Sequence, residues 1–160
     1  MLTLLRVLFG FIIACLVAGV TMVFFVVTPA DIAALPAEAR PGRLADAGEL
    51  ALLAATHSAI FAAPFALIAN VAAEWARIRS FIYYVIVGLL IGLGGFASYY
   101  LNEVPGQDSI LNNYALRAFV TVGILGGLAY WLFAGRRAGG RRADPPAKAP
   151  ADATPEPVAS

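Results

Sequence analysis

The chain has 160 residues, of which 61% are hydrophobic and only 13% charged, with a formal net charge of +1. A mean hydropathy of +0.80 lies outside the range of water-soluble domains, and the few basic residues stand at the ends of apolar runs, which excludes a soluble catalytic domain and a nucleic-acid surface. The single cysteine excludes an internal disulfide and any multi-cysteine metal site.

The first apolar run covers residues 4–27 and opens on Arg6. It is long enough to cross a bilayer as a helix, because about 20 residues rising about 1.5 Å each span the roughly 30 Å hydrocarbon layer. A signal peptide shares this outline, but the run is too long and Thr28-Pro29 is a poor cleavage context. Ile12-Ile13-Ala14-Cys15 looks like a lipobox, yet the apolar stretch continues for about a dozen residues where a lipoprotein turns polar. Cys15 therefore reads as an ordinary small apolar residue. Gly10, Ala14 and Ala18 form a small-residue stripe along this span.

The connection from Thr28 to Glu49 carries prolines at 29, 36 and 41. Thr28 as cap, Pro29 at the first helical position and Asp31 shortly after predict a short helix that Pro36 ends. The remainder is expected to be an irregular, solvated loop of mixed charge.

The second run, residues 50–73, has no charge and holds the chain's only histidine, His57, together with Pro64 and Asn70. With period seven, Thr56, Ala59, Ala63, Ala66, Asn70 and Ala73 share one stripe, a small-residue seam for a neighbouring helix. His57, Phe61, Pro64, Ile68 and Val71 form a second stripe. Pro64 cannot donate to the Ile60 carbonyl, which leaves that acceptor free and favours a bend.

Glu74 to Ser80 is a short turn with Trp75, Arg77 and Arg79, the pattern of a membrane exit. The third run, residues 81–101, has Tyr83-Tyr84 at one end and Tyr99-Tyr100 at the other, expected to form aromatic belts at both interfaces. Gly88 and Gly92 lie between them, and Gly123 and Gly127 repeat the same spacing in the fourth run, residues 114–135. In lipid such glycines make grooves for close helix contact. The spans at 50–73, 81–101 and 114–135 are expected to pack through these alanine and glycine seams. Between the last two spans, Pro105-Gly106 predicts a type II turn, and Asp108 or Asn113 a helix cap. Arg117 stands in the first turns of the last span, where its head can reach the interface, and Tyr130-Trp131 is expected to anchor the far end. Residues 138–160, rich in proline and alanine and without large apolar side chains, predict a disordered tail.

Arginine placement sets the expected orientation. Arg6, then Arg77 and Arg79, then Arg136, Arg137, Arg141, Arg142 and Lys148 all fall on one side, against Arg40 and Arg43, plus Arg117 at a helix start, on the other. This bias puts both termini in the cytoplasm.

Candidate chemistry is sparse. His57 is an ionisable group within a span, a functional candidate by default as proton relay, ligand or substrate contact. It lies about two turns from the end of its span, within reach of Thr56, Ser58 or a backbone carbonyl, and has no second histidine or in-span carboxylate beside it. Asn70 reads as interhelical glue or as a polar contact on a transport path. A cofactor or metal is not expected, nor is an enzyme: no nucleophile and base form a recognisable pair. The segment Gly126-Gly127-Leu128-Ala129-Tyr130-Trp131-Leu132-Phe133-Ala134-Gly135-Arg136-Arg137, with the four-span outline, resembles a group of small bacterial inner-membrane proteins without established activity. That likeness implies location and topology alone.

The expectation is thus an all-α, four-helix integral membrane bundle with a disordered C-terminal tail. A structural or accessory role is expected first, with the lipid bilayer as solvent and a second copy or a larger membrane complex as partner. The alternatives are an oligomeric transporter or channel with a path near His57, Pro64 and Asn70, and, third, a redox subunit using His57 as ligand.

Overall fold

A computed structural model describes residues 2–104 and 109–138 of the chain. Helix α1 runs Leu2–Val26, α2 Pro29–Ala34, α3 Arg40–Ala76, α4 Phe81–Leu101 and α5 Asn113–Phe133, and a 3-10 turn comes next at Gly135–Arg137. Among the described residues there is no strand. Four of the helices, α1, α3, α4 and α5, are long and apolar enough to cross a membrane. The turn expected at Pro105-Gly106, the cap at Asp108 and the tail from residue 139 onward lie outside the described residues.

Helix α2 starts as its residues dictate. The Thr28 hydroxyl accepts from the Asp31 N–H at 3.2 Å, and the Thr28 N–H donates back to Asp31 Oδ2 at 3.0 Å. This reciprocal box satisfies two donors that a helix start leaves free. The segment after Pro36 differs from the expected loop: α3 begins at Arg40, ten residues before the uncharged run. Pro41 fits the first helical turn, and Leu44, Ala45, Ala47 and Glu49 are good helix formers, so Pro36 and Pro41 bracket a break of one turn only. Arg40 closes that break, donating from Nε to the Leu35 carbonyl and from Nη2 to the Ala33 carbonyl, each at 3.0 Å.

At its other end α3 stops at Arg77, which takes the left-handed conformation (φ 53°), with the Ile78 N–H bonded to the Ala73 carbonyl at 2.9 Å. Helix α5 is capped by Asn112 rather than Asn113: the Asn112 side chain accepts from the Ala115 N–H at 2.7 Å. Asn112 has the extended backbone that a cap needs, while Asn113 is already helical.

The helices pack in the order α4, α5, α1, α3, and the row curls until α3 and α4 face each other across a sparse seam. Glycine explains the tight contacts. A Cβ on Gly92 would lie 2.5 Å from the Phe119 carbonyl oxygen, and one on Gly88 would lie 2.9 Å from the Gly127 backbone, so α4 and α5 touch backbone to backbone. Gly19 does the same for α1, where a Cβ would meet the Ala51 carbonyl and stand 2.8 Å from the Ala55 methyl. The expected close seam between the second and third spans is reduced to a few contacts between α3 and α4. Helix α3 docks on α1 through Ala51 and Ala55, and its stripe from Thr56 to Ala73 divides: Thr56 and Ala63 are exposed, while only Ala73 is fully enclosed.

The best-packed region lies at one end of the bundle, where Ala73, Tyr84, Tyr130 and Ala134 cluster. Tyr84 and Tyr130 do not belong to an outward belt; both are buried, with ring centroids 5.5 Å apart. The reason is glycine again, since a Cβ on Gly135 would sit 2.6 Å from the Tyr84 ring. Arg6 and Glu74 close the same end with an ion pair at 3.0 Å. Ala138, the first residue of the expected tail, is buried there, its carbonyl accepting from Arg79 Nε at 2.8 Å.

Candidate functional site

Where α3 and α4 part, the middle of the bundle is hollow. The cavity has a volume of about 580 Å³ and is lined by all four long helices. Side-chain size makes it: α4 and α5 present Gly88, Gly92, Gly123 and Gly127 to its floor, and α3 presents Ala62, Ala66 and Ala69 to its wall. Two helices drawn together by glycine, with the methyl groups of Ala62, Ala66 and Ala69 set opposite them on α3, leave the centre unfilled.

The blind end is sealed by the tyrosine cluster. There Tyr130 donates its hydroxyl proton to Asn70 Oδ1 at 2.5 Å, and Asn70 Nδ2 donates to the Ala66 carbonyl of its own helix at 2.8 Å. The opposite end is polar and open. His57 and Ser58 from α3 face Ser98, Tyr99 and Asn102 from α4, and the His57 ring stands 6.5 Å from that of Tyr99. Among the described residues neither His57, Ser58 nor Ser98 makes a side-chain hydrogen bond, so His57 takes none of the partners within its reach in the sequence; the Thr56 hydroxyl turns back to the Leu52 carbonyl at 2.8 Å. Between the two ends the walls are apolar, with Phe11, Cys15, Phe61, Val87 and Ile91. No Lys, Arg, Asp or Glu lines the cavity among the described residues.

His57 and Asn70 thus open onto one cavity from opposite ends, although they fall on different stripes of the sequence pattern. Pro64 does not join them. It is exposed on the far face of α3, and reaches the site only indirectly: Ile60, whose carbonyl it deprives of a helical donor, lines the cavity. Gly88, Gly92, Gly123 and Gly127 serve both the α4–α5 contact and the cavity floor. Ser98 and Asn102 carry no signal in the sequence, because a polar residue near a helix end is ordinary there. Among the described residues no group of three or more His, Cys, Asp or Glu side chains converges on a metal position.

No family model, no curated protein and no solved structure matches the chain.

Proposed function

We propose that the protein is a non-enzymatic, multi-pass protein of the cell inner membrane with both termini in the cytoplasm, a structural or accessory component that docks through α3 on a second copy or on a larger membrane complex. The observation that carries this reading is how little of α3 its own bundle uses. Only 6% of its apolar window is buried, against 22% for α1 and α5. Its outward face interleaves Ala63 and Ala72 with Leu67, Ile68 and Val71, all exposed. Small residues between larger ones let another helix approach closely in a membrane, where contact rather than water exclusion drives association. The ion pair of Arg6 with Glu74 brings the start of α1 and the end of α3 to the same side, so the arginines of both count together toward a cytoplasmic placement.

Gentle extraction from the native membrane followed by native mass measurement tests it. A second copy or further subunits should come out with the chain, and Ala63→Leu with Ala72→Leu should release them. A lone chain, unchanged by those substitutions, would overturn the reading.

A transport role is favoured by one observation, that His57 and Asn70 share the cavity. It calls for loss of flux in liposomes with His57→Ala or Asn70→Ala. The Asn70–Tyr130 seal and the outward position of Pro64 support it less than they support a binding cavity.

A further inference from the structure

The seam between α3 and α4 is barred at intervals. Phe61 reaches from α3 into the notch that Gly94 and Gly95 leave on α4, where Cβ atoms would stand 3.7 and 3.8 Å from its ring. His57 stands beside Tyr99 toward the open end, and toward the blind end the Tyr83 hydroxyl donates to the Ala69 carbonyl at 2.8 Å. A helix with its side chains is about 10–12 Å across and cannot enter between such bars. A single hydrocarbon chain can. The volume of about 580 Å³ is that of a small-molecule site. Its length, from His57 to Asn70 along α3, is about 20 Å at about 1.5 Å per residue.

Polarity runs in one direction along that length. At the open end the His57 imidazole and the Ser58 and Ser98 hydroxyls have no partner among the described residues, and each can hydrogen-bond a ligand. At the blind end Asn70 and Tyr130 satisfy each other and offer little to a polar group. The absence of charged lining matters as much, because a phosphate or carboxylate head would meet no fixed counter-charge there, whereas a neutral head needs only the hydrogen bonds on offer.

We propose that the cavity binds a neutral, single-chain amphiphile, with an uncharged hydrogen-bonding head at His57, Ser58 and Ser98 and its apolar chain running toward Tyr84 and Tyr130. The proposal rests on the membrane reading, which supplies the ligand, and is independent of docking through α3.

The test uses the full chain in phospholipid nanodiscs with a monoacylglycerol carrying a diazirine in its chain, irradiated and mapped by peptide mass. Adducts are expected on Phe61, Ile91 and Val122. They should fall about tenfold with monooleoylglycerol at about ten times its Kd, since only the unoccupied fraction remains open to the probe. Oleoyl-lysophosphatidylglycerol, with the same chain and an anionic head, should compete far less, and geranylgeraniol in its place reports whether an isoprenoid chain is also accepted. Ala66→Phe, which fills the middle of the cavity, should remove these adducts while leaving those on Ile86 and Leu90, which face outward on α4. His57→Leu combined with Ser98→Ala should erase the preference for the neutral head. Adducts confined to Ile86 and Leu90 in the unaltered protein, or equal competition by the anionic lipid, overturn the proposal. No adducts even on Ile86 and Leu90 would instead overturn the membrane reading.

Discussion

The Tyr130 hydroxyl and the Asn70 side chain, 2.5 Å apart, join α5 to α3, two helices whose backbones hardly approach each other elsewhere. The bond closes the blind end of the cavity, beside the packing of Ala73 from α3 into the cluster that holds Tyr130. Tyr130→Phe keeps the ring against Tyr84 and removes the bond alone. Interhelical bonds of this kind average about 0.6 kcal/mol in membranes, so unfolding in mixed micelles should show a loss of about that size for Tyr130→Phe. Asn70→Ala should lose a similar amount. The double variant should lose less than the sum, and strict additivity would mean that the bond does not form.

Gly126 and Gly127 are neighbours with opposite surroundings. A Cβ on Gly126 meets nothing nearer than 3.7 Å, whereas one on Gly127 would run into the Tyr84 carbonyl and stand 3.1 Å from the Tyr84 carbonyl carbon. Gly126→Ala should therefore be neutral, or stabilising by up to about 1 kcal/mol through helix propensity. Gly127→Ala should cost about 1–3 kcal/mol, as overpacking does where backbone rather than a flexible side chain stands in the way. Thermal unfolding of the two single variants side by side checks it, and equal effects would mean that α4 and α5 do not meet at these glycines.

How much of this was legible in the sequence depends on what each feature is made of. The apolar runs and the Thr28–Asp31 box are local, and local chemistry specified them. The extension of α3 back to Arg40 was hidden because prolines at 36 and 41 make the whole stretch read as loop, although proline in a first turn is no obstacle to a helix. The spacing of Gly88, Gly92, Gly123 and Gly127 announces a close contact without naming the helix on the other side. Tyr84 and Tyr130 read as belt residues, since nothing nearby in sequence shows that Gly127 and Gly135 leave room for them inside. The cavity was the least legible feature of all. It arises from side chains that are small or missing on several helices at once, and no single stretch of sequence displays an absence shared among four elements.

The capping box of α2 should respond to acid. The Asp31 carboxylate accepts from the Thr28 hydroxyl and then from the Thr28 N–H, and these bonds hold its pKa below the ordinary carboxylate value; Arg43 adds a weaker pull. A group whose pKa is depressed by folding stabilises the structure fully above the unfolded-state pKa, and that contribution is lost as pH falls through the lower, folded-state value. The start of α2 should thus stay formed down to pH values below those at which free aspartate protonates, and fray below that. The amide signal of Thr28, followed by NMR through an acid titration, should move with the Asp31 carboxyl and not earlier. In Asp31→Asn the acid step should vanish. A Thr28 amide that shifts at the ordinary aspartate pKa would show that the reciprocal bonds are not made.

Helix α3 has 37 residues, which at about 1.5 Å each gives a rod of about 55 Å, against a hydrocarbon layer of roughly 30 Å. On the proposed membrane reading the excess projects into water, and the charges point to the end from which it does so. Arg40, Arg43, Asp46 and Glu49 all lie in the first turns, whereas the rest of the helix is uncharged until Glu74. The first turns also lack neighbours: Cβ atoms on Gly42 and Gly48 would meet nothing within 4 Å. With Cys15 replaced by Ser, single cysteines at Gly42 and Gly48 should react readily with a membrane-impermeant maleimide added to intact cells, because the proposed orientation, which rests on the arginine bias, has this end outside. A cysteine at Ser80, in the arginine-bearing turn after α3, should react only once the cells are opened. At Leu67 a cysteine should stay unreactive in both cases, since a thiol facing hydrocarbon is protonated and out of reach of the aqueous reagent. Labelling of Ser80 and protection of Gly42 and Gly48 in intact cells would reverse the orientation while keeping the spans. Labelling at Leu67 would mean that α3 does not cross a membrane at that height, and would remove the ground on which its exposed alanine face is read as a docking surface.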